Sequence, residues 1–342
     1  AGACLCALAA AVTAPRRRGR PPALVMKRWG LRVLQVVILV LAGWGIYRAL
    51  GPELAKLTTQ DLLRYRPSAV LLALSILLLL AFYFLHAWLW RLIAVALAGT
   101  SLSIRPAMKV FFLSSLGRYL PGKFWQIAGY AVLAQREGFS PVAATAASLV
   151  AQLAFLTSGV VFLALLLPAL LKGTAALAAI GLLALGVVIF VVAATERGKK
   201  LRHKLLSRLG PRIAEAGALL DRMSVRSAFQ WWVFYALSWV LLGAAFALFV
   251  IAFVPEQAHE YRQFAGIAAA SYLIGYVLFT PAGIGTRELS MMALLATLMP
   301  PAAALLVSIV SRLWFTLAEL LPLAAIPLLP DSTHTVPGRE VS

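Results

Sequence analysis

Two short stretches of this chain combine residue types that together can hold an anion. They are Leu116-Gly117-Arg118-Tyr119-Leu120-Pro121-Gly122-Lys123 and Thr280-Pro281-Ala282-Gly283-Ile284-Gly285-Thr286-Arg287-Glu288. Proline and glycine stop a helix, and the helix that follows begins with unpaired backbone N–H groups at the positive end of its dipole. Arg118, Lys123 and Arg287 add full cations at the same places. Each break, made by Pro121 and Gly122 in one case and by Pro281, Gly283 and Gly285 in the other, therefore reads as a receptor for a phosphate or a carboxylate.

A cation at bilayer depth costs ~2.5–3.5 kcal/mol on insertion scales, so its presence asks for a partner or a use. Arg118 and Arg287 lead on that ground. Glu288 can pair with Arg287 or with Arg118, and Glu319 with Arg312, which shares its helix face. That last pair is open to two readings, part of a binding site or an ion pair that sets helix register. Gln152, a lone amide in an apolar run, is expected to hydrogen-bond to a neighbouring helix. Lys123, Arg105 and Lys109 either bind substrate or reach out to lipid headgroups. Tyr119 and Trp125 are interface anchors or stacking surfaces.

Other chemistry lacks its residues. His86, His203, His259 and His334 have no ligand-like spacing, and the only cysteines are Cys4 and Cys6, so no metal and no cofactor is expected. No phosphate-binding GxxxxGK[ST] and no GxSxG nucleophile turn occurs. With no recognisable catalytic motif, the chain reads as a transporter rather than an enzyme.

The elements that carry these residues belong in a membrane. Hydrophobic residues make up 62% of the 342, charged residues 13%, and mean hydropathy is +0.90, whereas soluble domains hold about 45–50% apolar and about 25% charged residues. The net charge of +19 punctuates apolar runs and forms no arginine face with interleaved aromatics, so nucleic acid is not an expected partner. Six runs are long enough to cross a ~30 Å core at ~1.5 Å per residue: 31–50, 67–89, 142–171, 174–194, 229–254 and 302–329. The second ends in Trp88, Trp90 and Arg91, and the fifth begins with Trp231 and Trp232, as expected at a membrane surface. Residues 51–66 read as an interfacial amphipathic helix. Residues 104–141 and 264–299 are interrupted too often to cross, so they must fold back inside the bundle or lie on its surface.

The expected fold is therefore all-α: a polytopic transmembrane bundle of about six full spans plus two re-entrant segments. Residues 1–25 are expected to be a disordered or artefactual extension, with Met26 as a natural start. The membrane domain is expected over 26–330, with halves 67–171 and 229–329, a basic linker 196–226 and a short polar tail 331–342. The basic clusters at Arg16–Arg32 and in the linker place the N-terminus in the cytoplasm of a cell membrane. With that parity the two halves, each a span, a break and a span, run in opposite directions. Paired interruptions in inverted halves point to a transporter's binding site; kinks or interfacial turns are the plainer alternative.

The run Gly117-Arg118-Tyr119-Leu120-Pro121-Gly122-Lys123-Phe124-Trp125, then Arg136-Glu137-Gly138-Phe139-Ser140, and later Pro281-Ala282-Gly283-Ile284-Gly285-Thr286-Arg287-Glu288, resembles the flippase-like transmembrane domain of the lysylphosphatidylglycerol synthase family. The resemblance spans roughly 27–329. It implies a motif at Arg118, Pro121, Gly122 and Lys123 and a second at Pro281, Gly283, Gly285, Arg287 and Glu288. It also implies a free-standing form without the soluble aminoacyl-transferase domain. Many relatives place a Glu–Arg pair where this chain has Ala151-Gln152-Leu153. The implied function is a lipid translocase for an anionic phospholipid or a polyprenyl-phosphate-linked lipid. Two rivals stand beside it. One is an intramembrane transferase using Glu288, Glu137 or Tyr119; the other is an accessory subunit of a glycan or lipid assembly system, which would need a glycosyltransferase or lipid-synthesis partner.

Overall fold

The structure, a computed structural model, describes residues 65–119, 124–166, 217–277 and 285–326, with 195, 200 and 204 besides. The expected spans at 31–50 and 174–194, the amphipathic stretch at 51–66 up to residue 64, and the extension at 1–25 lie outside the described residues. Of the basic linker 196–226, only residues 200, 204 and 217–226 are described.

What is described is helical, with no strand among the described residues. The elements are α1 (Ala69–Ala98), α2 (Ile104–Ser115), a 3-10 segment (Leu116–Tyr119), α3 (Phe124–Arg136), α4 (Pro141–Leu166), α5 (Val225–Phe253), a second 3-10 segment (Pro255–Glu260), α6 (Tyr261–Val277), α7 (Thr286–Leu295) and α8 (Pro301–Ala325). Four of them, α1, α4, α5 and α8, are long and apolar enough to cross a membrane. The interrupted stretches instead give helices of 12, 13, 17 and 10 residues for α2, α3, α6 and α7. At ~1.5 Å per residue each is shorter than a ~30 Å hydrocarbon core. Each pair packs against itself, α2 on α3 and α6 on α7.

Serines sit inside this apolar bundle by closing on their own helices. Ser75 donates to Leu72 O at 2.7 Å, Ser238 to Tyr235 O at 2.7 Å and Ser308 to Ala304 O at 2.7 Å, so their hydroxyls are satisfied without water. Tryptophan N–H groups then tie the long helices together. Trp239 donates to Phe155 O at 2.9 Å, joining α5 to α4, and Trp314 to Ser75 Oγ at 3.1 Å, joining α8 to α1. Phe155 and Trp239 also stack, with centroids 4.3 Å apart and planes 5° from parallel. The outer faces carry Val70, Leu77, Leu153 and Leu313 exposed, as suits lipid contact.

One boundary and the placement of two tryptophans differ from the sequence expectation. The helix expected to stop at Leu89 runs on to Ala98 and ends at Gly99, whose φ of 70° is open to glycine at no steric cost and lets its N–H close on Val95 O. Trp90 is consequently not a surface anchor. It is fully buried, its indole N–H pointing to Ala144 O at 3.4 Å. Trp231, also expected at the interface, is buried as well. Hydropathy windows miss both, because a tryptophan's partner is chosen by the helix opposite.

The helix contacts recur in a pattern. α1 packs on α2 as α5 does on α6, α3 on α4 as α7 on α8, and α1 on α4 as α5 on α8. Contacts of α4 with α5 and α6 are matched by those of α8 with α1 and α2, and α1 packs on α5 directly.

Candidate functional site

A cavity of about 200 Å³ lies where the short helices meet the long ones. Its walls take His86 and Trp90 from α1, Arg118 from the 3-10 segment, Tyr130 from α3, Gln152 and Phe155 from α4, Tyr235 from α5, Tyr272 and Tyr276 from α6, Arg287 from α7, and Arg312, Phe315 and Glu319 from α8. Phe111 of α2 lines it as well, so every described long helix and all four short ones contribute.

Arg118 is aimed by the tightening of the chain after Ser115. Its Nε donates to Ser115 O at 3.0 Å and its Nη1 to Glu319 Oε1 at 2.9 Å. The same carboxylate oxygen accepts from the Tyr83 hydroxyl at 2.7 Å. Glu319 is only 6% exposed, so these bonds are its substitute for water. The 3-10 turn lies against α3 through Gly117, where a Cβ would fall 2.7 Å from Gln126 N and 2.8 Å from the Trp125 carbonyl carbon. Backbone cannot yield as a flexible side chain does. Gly117→Ala is therefore expected to push the turn off α3 and carry Arg118 with it, destabilising the protein by about 1–3 kcal/mol. Thermal unfolding in detergent at the wild-type temperature would show that this approach is unimportant.

On the other side, Arg312 Nη1 lies 3.4 Å from Glu288 Oε1, while Glu288 Oε2 accepts the Gly285 N–H at 2.8 Å. Gly285 has φ 83°, the left-handed region. Arg287 lies with its guanidinium carbon 3.6 Å from the Phe315 ring centroid, a cation–π contact. Among the described residues no carboxylate is in salt-bridge distance of Arg287.

The pairing corrects three expectations. Glu319 takes Arg118, not Arg312; Glu288 takes Arg312, not Arg287 or Arg118; and the Gly285 amide, expected to receive a substrate anion, is held by Glu288. Gln152 differs too, since among the described residues its buried Nε2 has no hydrogen-bond partner on a neighbouring helix. Of the expected site residues, Arg118, Gln152, Arg287, Arg312 and Glu319 line the cavity, and Gly285 and Glu288 stand beside it through Arg312. Tyr119 ends the 3-10 segment, and no side-chain position is described for it. Pro121, Gly122, Lys123, Pro281 and Gly283 lie outside the described residues. Lys109 forms a half-exposed ion pair with Glu137 at 2.6 Å, and neither lines the cavity.

Sequence reading passed over the aromatic wall. His86 bonds Ser238 Oγ through Nε2 at 2.9 Å and packs on Phe82 with centroids 4.2 Å apart. An ionisable side chain inside a span is a functional candidate by default, a signal that a search for metal spacing discards. Tyr272 and Tyr276, one turn apart on α6, were equally visible as hydroxyls in an apolar run.

Together these features define a class: a multi-pass helical membrane protein whose broken segments bring arginines into a cavity within the bundle. Residues 29–321 match the family model described as the lysylphosphatidylglycerol synthase TM region, and the chain belongs to that family. Among curated proteins none matches. Membership makes it a membrane domain of lysylphosphatidylglycerol synthase-like proteins, a lipid-related class.

Proposed function

We propose that the protein moves a lipid with an anionic headgroup between leaflets, an anionic phospholipid or a polyprenyl-phosphate-linked lipid, with the headgroup held in the cavity and the acyl chains left in the bilayer. The observation that carries this is the convergence of Arg118, Arg287 and Arg312 from three separate elements on one cavity. Around it three guanidiniums face two carboxylates, Glu319 and Glu288, which leaves one positive charge among the described residues. A phosphodiester brings one negative charge to match. The rim supports a lipid, because Ile127 on α3 and Leu149 on α4 line the cavity and are 36% and 48% exposed.

In this reading the two halves, 67–171 and 229–329, are inverted repeats within a domain over 26–330 that has about six full spans. The recurring contact pattern, with α1 to α4 answering α5 to α8, supports it. Each half would open to its own leaflet, with the N-terminus in the cytoplasm of a cell membrane. A transferase is less favoured, since Glu288 is committed to Arg312 and Gly285, and Glu137 to Lys109.

Purified protein in phosphatidylcholine vesicles, with a trace of fluorescent phosphatidylglycerol, is expected to bring the labelled lipid to the quencher-accessible leaflet faster than protein-free vesicles do. Equal rates, or equal acceleration of a zwitterionic label, would exclude an anion-selective translocase.

A further inference from the structure

The shorter of the two described ion pairs at the cavity lies where the proposed headgroup would bind. Arg118 Nη1 meets Glu319 Oε1 at 2.9 Å, and Tyr83 holds that same oxygen at 2.7 Å. The three groups come from different elements: the 3-10 segment, α8 and α1. We propose that Glu319 is an internal stand-in for the headgroup's anion, holding Arg118 while the cavity is empty, giving it up when a phosphodiester arrives, and taking it back to release the lipid. The proposal rests on the anionic-lipid reading above and assigns the step that ends each cycle.

Three observations support the exchange. A carboxylate and a phosphodiester both offer anionic oxygens to the same guanidinium fork, with charge-assisted bonds of similar kind. Arg118 is anchored at its base, where Nε donates to Ser115 O at 3.0 Å, so a change of partner at Nη1 leaves the guanidinium in place. Tyr83 is a second holder for Glu319, so the carboxylate keeps a buried hydrogen bond while Arg118 holds the lipid anion. Arg118 thereby keeps an anionic partner on both sides of the step, while Glu319, left with Tyr83 alone, bears the cost of an unpaired buried carboxylate that draws Arg118 back. Binding is then moderate and release fast, which a carrier needs.

Glu319→Gln keeps the shape and the Tyr83 contact but removes the competing charge. In nanodiscs carrying dioleoylphosphatidylglycerol, the variant is expected to bind that lipid at least tenfold more tightly than wild type. In vesicles it is expected to exchange it at least tenfold more slowly, because the Glu319 carboxylate no longer competes for Arg118. Glu319→Asp, which keeps the charge, moves both quantities back toward wild type. Binding that is unchanged or weaker in Glu319→Gln overturns the proposal. Wild-type infrared difference spectra, which need no variant, are expected to show a carboxylate stretch shifting on addition of phosphatidylglycerol; a silent carboxylate region overturns it equally. Inorganic phosphate in a parallel titration is expected to produce no such shift, and an equal shift would assign the exchange to the free ion and overturn the lipid form. Wild-type protein that binds no anionic lipid overturns the function itself, whereas binding with no Glu319 effect overturns only this inference.

Discussion

Arg287→Ala is expected to slow leaflet exchange of an anionic lipid about 100-fold while leaving the protein folded. Its guanidinium lies against Phe315, 3.6 Å from the ring centroid, and lines the cavity. With no carboxylate at salt-bridge distance among the described residues, truncation strands no buried anion. What is lost under the proposed function is a desolvated contact to the headgroup, and removing one side of a buried hydrogen-bonded charge pair costs about 2–5 kcal/mol. A loss of ~2.7 kcal/mol corresponds to 100-fold. Arg118→Ala is less clean, because it leaves Glu319 buried without that cation and so mixes folding with function. Arg287→Lys keeps charge but not the flat face against Phe315, so an intermediate rate is expected. The measurement is labelled-lipid exchange in vesicles, with thermal unfolding in detergent as the folding control. Exchange within threefold of wild type in Arg287→Ala would remove this residue from the site.

Gly159→Ala is expected to destabilise the bundle by about 3 kcal/mol, the upper part of the usual range for overpacking. A Cβ at this position on α4 would fall 2.3 Å from Trp239 Cζ2 and 2.5 Å from Cε2. The indole cannot retreat. It is fully buried, stacked 4.3 Å from Phe155 and bonded to Phe155 O at 2.9 Å. Small residues at a helix interface let backbones approach closely in a membrane, where no hydrophobic force drives helices together. Denaturant unfolding in detergent micelles reports the loss. In the double variant Gly159→Ala with Trp239→Phe the smaller ring makes room, so the two changes should cost less together than their sum. Additive costs, or a Gly159→Ala as stable as wild type, would mean that α4 and α5 do not meet here.

That α2 and α3, and α6 and α7, are separate helices was legible because a bilayer interior imposes one rule: backbone amides must be paired within a helix or be sheltered by protein. Long apolar runs therefore announce α1, α4, α5 and α8, and proline, glycine and charge announce the short helices between them. The cations of the site could be named on the same ground, since Arg118, Arg287 and Arg312 stand out wherever water is excluded.

Partners were a different matter. Arg118 and Glu319 are 201 positions apart, and no local period relates them. Sequence spacing favoured Arg312 for Glu319 because the two share a face of α8, yet contacts between helices gave Arg118 to Glu319 and Arg312 to Glu288. Trp90 and Trp231 were likewise misplaced at the surface, because burial depends on what lies opposite and not on the residue's own preference. The amino-acid order alone determined that this chain is a helical membrane protein and where its helices break, since hydropathy and backbone hydrogen bonding act over one turn or one span. Tertiary packing alone decided which acid holds which arginine and which aromatics wall the cavity, because ion pairing at 3 Å is set by how helices cross.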